Sequence, residues 1–382
     1  MILSSQKTAF TLALLTSSFS AYALTPPEMD NSAYVLMDYT TGEILAQKNA
    51  NEPLPPASLT KMMTSYIIEK KLLNGELTEN EPVLMSENAW CRGSSQQSCM
   101  YVPVNKTAPV IDMLKGIIIQ SGNDASIAMA EYVSGSESSF AQLMNEEAQA
   151  LGMTDSHFVN ATGMPADGHV ASAMDLAKLA KAIISHSDKY YDIYSEKEFT
   201  YNGITQGNRN ALLLTDPTVD GLKTGHTNAA GYCLVASSNR NGMRLISVIM
   251  GAKSMQARAD QSRELLNWGF GHFTHAVLAP KGQLIQKVPV WFGTTEQVEL
   301  VTASDLRVLT TKNAQGKLTT AVDIQPDLQA PIKKGQTLGK VHAVQNGKTV
   351  ASADVVATQD IEQAGFIHRL WQRISRWVKQ LF

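Results

Sequence analysis

The chain has 382 residues, enough for about two domains at roughly 100–200 residues each. Apolar residues make up 44% and charged residues 18%, which excludes a disordered or collagen-like chain. The formal net charge of −3 leaves no chain-wide basic field, so no nucleic-acid partner is expected; three cysteines are too few for a disulfide-dense scaffold.

Residues 1–23 read as an export signal. Lys7 precedes an apolar run from Ala9 to Leu15, and the segment closes on Ala21-Tyr22-Ala23, an A-x-A cleavage pattern. The run is shorter than the roughly 20 residues that span a bilayer; a buried N-terminal helix is the alternative. Export implies an oxidising compartment, where Cys91 and Cys99 can form a bridge, with two free thiols as the alternative. So short a loop would gain roughly 2–3 kcal/mol in the chain-entropy view. Cys233, inside Gly231-Tyr-Cys-Leu-Val-Ala236, reads as a packed thiol in a buried strand.

From residue 24 onward the pattern divides. Residues 33–48 read as a hairpin turning at Thr41-Gly42. Helical runs follow over Ser58–Leu73, Ile111–Gln120, Ala125–Tyr132, Ser138–Leu151 and Ala173–Ser185. Strand patterns return at Tyr232–Ala236 and Leu245–Met250, and a helix over Ser254–Leu266 ends near Trp268-Gly269. Strands, then helices, then strands predict an α+β domain over residues 24–279, its sheet joining both ends of the segment. Composition shifts at Ala279-Pro280. Short alternating runs at Val288–Trp291, Gln297–Val301, Leu306–Thr310, Leu318–Ile324, Val341–Val344 and Val350–Val356 predict a small all-β domain over 280–361.

Residues 362–382 form a separate element. Phe366, Ile367, Leu370, Trp371, Ile374, Trp377, Val378, Leu381 and Phe382 fall within roughly 160° of a helical wheel. Arg369, Arg373, Arg376 and Lys379 lie opposite, with no acid. This pattern predicts an amphipathic helix lying in an anionic membrane surface; a helix docked on the fold or a dimerisation helix is the alternative.

Three short motifs carry the chemistry. Ser58 and Lys61, in Pro56-Ala-Ser58-Leu-Thr-Lys61, are three apart at a helix start and share a face. A serine hydroxyl needs a neighbouring base, and a desolvated lysine near other cations can have its pKa lowered enough to serve. Gln120-Ser121-Gly122-Asn123-Asp124 breaks two helical runs and presents a hydroxyl and an amide on a turn. Val219-Asp-Gly-Leu-Lys223-Thr224-Gly225-His226-Thr227 reads as a strand offering a cation, a hydroxyl and a glycine beside which a substrate backbone can pass. Taken singly, each has a plain structural reading as a helix cap, a turn or an edge strand.

Together, in this order, Ser-x-x-Lys, Ser-x-Asn and Lys-Thr-Gly form the set of penicillin-binding proteins and class A β-lactamases. The sequence resembles the low-molecular-mass penicillin-binding proteins of Gram-negative bacteria, the serine D-alanyl-D-alanine carboxypeptidases of the penicillin-binding protein 5/6 group. Leu36-Met-Asp-Tyr39, Tyr194-Ser-Glu-Lys-Glu-Phe199, Asn208-Arg-Asn210, Leu265-Leu-Asn-Trp-Gly-Phe270 and the tail carry the resemblance beyond the three motifs. It implies a penicillin-binding/β-lactamase-like first domain, with an antiparallel sheet flanked by helices.

The resemblance also implies roles. Ser58 would be the acylated nucleophile and Lys61 its base. Ser121 and Lys223 would relay a proton to the leaving amine, and Asn123 would hold the substrate amide. The Ser58 and His226 backbone N–H groups would form an oxyanion hole. Thr224, beside Gly225, and Arg209 or Arg258 would take the terminal carboxylate. No cofactor or metal is implied. Partners would be peptidoglycan stem peptides, β-lactams and the anionic surface of the inner membrane on its periplasmic side, and the role would be cell-wall biogenesis and cell shape.

The segment from Trp90 to Val104 departs from the family: it is short, carries Cys91 and Cys99, and lies upstream of Ser121 where it can border the cleft. A class A β-lactamase would need a glutamate for its deacylating water, and no Glu occurs from Ala148 to Ser195. His272 and His275 form H-x-x-H without a further ligand at metal spacing, and read as surface or core histidines.

Overall fold

The computed structural model describes residues 24–92, 97–313 and 318–381, so the export signal lies outside the described residues. The first part contains β1 (Ala33–Asp38), β2 (Ile44–Lys48), a 3₁₀ turn (Ala57–Thr60), α1 (Lys61–Leu73), β3 (Pro82–Leu84), β4 (Thr107–Pro109), α2 (Val110–Ile118), α3 (Asn123–Ser134), α4 (Glu137–Ala150) and α5 (Ala173–His186). There follow a second 3₁₀ turn (Tyr191–Ser195), β5 (Glu198–Tyr201), β6 (Ile204–Gly207), α6 (Leu212–Thr215), β7 (Val219–Thr227), β8 (Gly231–Arg240), β9 (Met243–Ala252) and α7 (Met255–His272). Serines 136, 172 and 254 cap α4, α5 and α7, each accepting a backbone N–H three residues on.

The main sheet runs β2-β1-β9-β8-β7, all antiparallel. Its first and last sequence segments meet where β1 pairs with β9, as the strand–helix–strand order predicts. The sheet is covered on both faces. Val35 and Met37 of β1 join the core with α1 to α5, while Tyr34 and Leu36 point to a second core with α7. Period-two alternation between two buried faces turns the strand into an unbroken apolar run. Helix α1 is buried from Lys61 through Glu69, which is why it carries no single apolar stripe.

The second part is all β, apart from a closing helix: β10 (Phe273–Ala279), β11 (Leu284–Pro289), β12 (Gln297–Thr302), β13 (Leu306–Thr311), β14 (Leu318–Ile324), β15 (Thr337–Gln345), β16 (Lys348–Ala357) and α8 (Phe366–Leu381). Five strands are ordered β11-β12-β16-β15-β14, and β10 pairs with β13. Val298, Leu300, Leu338, Val341, Val355 and Ile361 form its own core. Strand β10 escaped the sequence reading because it follows α7 without a break and is only half-buried, so neither a turn residue nor strong alternation marks it. Its His275 is buried with Nε2 2.9 Å from Asp38 Oδ2 on β1, while His272 Nδ1 lies 2.8 Å from the Trp268 carbonyl. Among the described residues no three His, Cys, Asp or Glu are grouped to hold a metal.

No helix among the described residues is long and apolar enough to cross a membrane. Along α8, Phe366, Ile367 and Trp371 are 71%, 74% and 70% exposed, so the fold does not cover them. Gln372 instead accepts the Phe292 N–H, and Arg369 donates to Gln363 at 2.9 Å.

Candidate active site

Two backbone approaches place Ser58. Its 3₁₀ turn begins at Ala57, held at φ +50°, a left-handed value uncommon outside glycine. The Ala57 carbonyl lies against Gly163, itself at φ +83°, where a Cβ would sit 1.8 Å from that oxygen. On the other side, a Cβ at Gly225 of β7 would lie 3.0 Å from the Pro56 carbonyl and 3.2 Å from Leu59 N. The space beside Gly225 is therefore taken by the protein's own Ser58 turn. The glycine thus serves the fold of the site as well as lining the cleft.

Lys61 opens α1 and is fully buried. Its Nζ lies 3.3 Å from Ser58 Oγ and donates to Asn123 Oδ1 and to the Thr162 carbonyl, each at 2.6 Å. Burial above all, helped by the Arg209 charge, lowers its pKa from 10.5 to about 7. The Thr162 carbonyl is aimed by Asn160, whose Oδ1 accepts the N–H groups of Thr162 and Gly163 at 3.1 and 2.7 Å. His169 adds support: Nδ1 accepts the Val159 N–H at 2.9 Å, leaving Nε2–H to donate to Thr60 Oγ1 at 2.8 Å. Burial pushes this imidazole down to about 4, so it stays neutral.

Ser121 sits between α2 and α3 at φ +61°. Lys223 of β7, also buried, donates to Ser121 Oγ at 2.9 Å and to the Thr224 carbonyl at 3.0 Å. Burial, then the charges of Lys61, Arg209 and Arg258, hold its pKa well below the usual lysine range. Asp124 anchors the Ser121–Asn123 link from behind, its carboxylate accepting the N–H groups of Met100 and Tyr101 at 2.8 Å each. Burial raises its pKa against those bonds.

These groups open onto a cavity of about 310 Å³. Ser58, Ser121, Thr224, Gly225 and His226 line it with Arg209 and Arg258. Arg258 is buried and donates to the Gly225 carbonyl at 3.1 Å and the Arg209 carbonyl at 3.4 Å. His226 stacks on Tyr232 with ring centroids 4.0 Å apart. The structure thus brings every residue singled out in the three motifs, and both arginines, to one place.

The sequence reading missed Thr162, Tyr232 and Met255; Gln97 and Ser98, which line the cavity with Tyr232 and Met255, lie in the Trp90–Val104 segment expected to border the cleft. Thr162 acts through a backbone carbonyl, which no residue type announces. Gln97 and Ser98 abut Cys99, and the Cys91–Cys99 disulfide, with Cα atoms 6.2 Å apart, is present; that pairing was the available signal. Cys233 is buried in β8 and its thiol is pushed up to about 11 by burial, in keeping with a packed, unreactive residue.

A hydroxyl facing a buried amine, a second lysine–serine pair, and two guanidinium groups at the cleft define a serine-type acyl-transfer site. A family model described as D-alanyl-D-alanine carboxypeptidase matches residues 20–254, and one described as penicillin-binding protein 5, C-terminal domain, matches residues 273–363. The chain is 39% identical over 381 residues to D-alanyl-D-alanine carboxypeptidase DacC of Escherichia coli (strain K12), covering 98% of this chain and 95% of that protein. The crystal structure of penicillin binding protein 5 from Haemophilus influenzae superposes with a TM-score of 0.75 at 39% identity, covering 89% of this chain and 99% of that one. Penicillin-binding protein D2 from Listeria monocytogenes in its cefotaxime-bound form gives a TM-score of 0.59 at 29% identity, over 64% of this chain and 99% of that one. The chain belongs to the D-alanyl-D-alanine carboxypeptidase family and is a peptidase of that serine-type class.

Proposed function

We propose that this enzyme removes the terminal D-alanine from peptidoglycan pentapeptide stems through an acyl-enzyme on Ser58. The observation that carries the reading is the geometry at Lys61. A neutral amine has two N–H groups and one lone pair. Both N–H directions are used by Asn123 Oδ1 and the Thr162 carbonyl, so the lone pair is left for the Ser58 hydroxyl at 3.3 Å. With a pKa of about 7, a large share of Lys61 is neutral near neutral pH.

Lys61 takes the Ser58 proton as Oγ bonds to the carbonyl carbon of the penultimate D-Ala. The backbone N–H groups of Ser58 and His226 receive the oxyanion. As the C–N bond breaks, Ser121, backed by Lys223, passes a proton to the leaving amine. Water then cleaves the ester, releasing the shortened stem and restoring Ser58. Asn123 holds the substrate amide. Thr224, with Arg209 or Arg258, holds the free carboxylate; the cationic surroundings of the cleft suit an anionic chain end. A β-lactam, with a strained amide and a carboxylate, fits the same places and acylates Ser58, as the cefotaxime-bound relative suggests.

The same reading places the enzyme in the periplasm with α8 lying on the inner membrane, in service of wall biogenesis and cell shape. The uncovered apolar side chains of α8 support the attachment. The deciding experiment is intact-mass analysis after incubation with a penicillin. One adduct per chain, absent from Ser58→Ala, is the expected result; an adduct on Ser58→Ala removes the assignment.

A further inference from the structure

We propose that Cys91 and Cys99 are positioning residues of the active site: their disulfide fixes the Gln97–Ser98 wall of the cleft and, through the Ser98 carbonyl, the placement of Asn123 and Lys61. The proposal rests on the carboxypeptidase reading and assigns to this chain's short cysteine-bearing segment a part in turnover.

The bridge spans a sequence separation of only 8. Crosslinks over short loops constrain the unfolded chain least, and that modest gain in stability says nothing of why the bridge lies at this place. What lies next to it is more specific. Gln97 and Ser98 line the cavity that holds Ser58 and Ser121. The Ser98 carbonyl accepts the Asn123 N–H at 2.7 Å. That N–H belongs to the first residue of α3 and has no partner within the helix, so Ser98 supplies what the helix cannot. Asn123 Oδ1 in turn holds Lys61 Nζ at 2.6 Å, and Lys61 faces Ser58. From the bridge, a run of named contacts therefore ends at the reacting hydroxyl.

The neighbouring contacts show what the bridge joins. Cys99 is 1% exposed and its carbonyl accepts from Gln206 Nε2 at 2.8 Å; Met100 and Tyr101 are held by Asp124. The segment is thus anchored downstream of Ser98. The disulfide adds a covalent anchor at Cys99 itself, tying the residue that follows Ser98 to Cys91, which is also buried. The groups proposed for the substrate carboxylate, Thr224 with Arg209 or Arg258, stand on β7, before α6 and on α7. Releasing the wall should leave carboxylate binding in place and misalign the proton-transfer groups, where displacements of about 1 Å can cost about 10²-fold.

The test compares four preparations of the exported chain: the oxidised parent, the parent reduced with dithiothreitol, the same sample reoxidised with glutathione disulfide, and Cys91→Ser/Cys99→Ser. On reoxidation the two thiols lose two electrons and two protons to one glutathione disulfide, which becomes two glutathiones. Thiols are counted by alkylation and mass, sites by titration with a fluorescent penicillin, and kcat and KM on a small acyl-D-Ala-D-Ala peptide. The expected result is a fall in kcat of about tenfold or more with KM within about threefold. It should appear in the reduced parent and the double variant, with titratable sites unchanged and activity restored by reoxidation. A kcat within twofold of the oxidised parent, with both thiols shown to be free, overturns the proposal. So does a loss matched by an equal loss of titratable sites, which would make the bridge structural only. An oxidised parent that neither labels with penicillin nor cleaves the peptide overturns the carboxypeptidase reading itself.

Discussion

Lys61 Nζ and Asn123 Oδ1 lie 2.6 Å apart, joining the first residue of α1 to the first residue of α3. The contact is buried, and it draws Lys61 between two acceptors and the Ser58 hydroxyl. A lysine in water would carry its proton throughout the physiological range. Here desolvation removes that preference while the surrounding carbonyls keep the side chain aimed.

Acylation should therefore follow the Lys61 proton. Its pKa is lowered in the fold to about 7, so the acylation rate should rise as pH increases through about 7, as the amine becomes neutral. The unfolded chain binds this proton more tightly between about 7 and 10.5, so the same group makes stability rise with pH over that window. Stopped-flow labelling with a fluorescent penicillin from acid to alkaline pH checks the rate. Lys61→Ala should lose the limb and fall by about 10²–10⁴-fold at its plateau. Lys223→Ala should also acylate slowly but keep a Lys61 limb. An unchanged limb in Lys61→Ala would mean that another base acts.

Glu69 gives the opposite slope in stability. It is buried on α1, accepting from Tyr194 Oη at 2.7 Å and from Ser187 Oγ, and burial raises its pKa from 4.5 to about 7. The native state binds the proton more tightly between those values, so stability present below pH 4.5 is lost as pH rises through about 7. Melting temperatures of the parent should fall relative to Glu69→Gln between pH 5 and 8. Parallel curves for the two proteins would show that this carboxyl does not titrate there. Tyr194→Phe leaves the carboxyl one donor short and should cost about 1–3 kcal/mol.

Gly163→Ala should damage the site more than its size suggests. The new Cβ would lie 1.8 Å from the Ala57 carbonyl, and the residue would have to hold φ +83°. Either the Asn160–Met164 loop moves, taking the Thr162 carbonyl from Lys61, or the Ser58 turn moves. Penicillin acylation should fall by about 10²-fold for a displacement near 1 Å, measured on protein shown to be folded by its melting curve. Near-parental acylation would mean that neither element is held by the other.

Removal of residues 362–382 should separate attachment from chemistry. The apolar side chains described along α8 face away from the fold, while Ser58, Ser121 and Lys223 lie in the first part of the chain. Each basic residue near an anionic surface contributes about 1 kcal/mol, screened by salt. The truncated enzyme should lose co-sedimentation with anionic vesicles and keep nearly parental turnover of a soluble D-Ala-D-Ala peptide. Equal vesicle binding with and without the tail removes the anchor; lost peptide turnover would show instead that α8 supports the fold.

Residue order settles what near neighbours on the chain settle. The hairpin at Thr41-Gly42, the helical runs from Ser58 to Ser185, the alternating strands after residue 288 and the two-sided tail are local patterns, set by periods of two and 3.6 residues. The three motifs were legible because the chemistry demands particular side chains at fixed spacing. How these pieces meet depends on contacts between segments remote on the chain. Lys61 and Thr162 are 101 positions apart, Lys223 and Ser121 are 102 apart, and the Thr162 and Ser98 contributions are backbone carbonyls that any residue could supply. The reason for Gly225 and Gly163 was equally hidden, since what presses on each is a turn remote in sequence. Spacing along a chain governs which faces are apolar. Distance between remote groups, and with it desolvation and the lowered pKa of Lys61, arises only when the packed core excludes water around them.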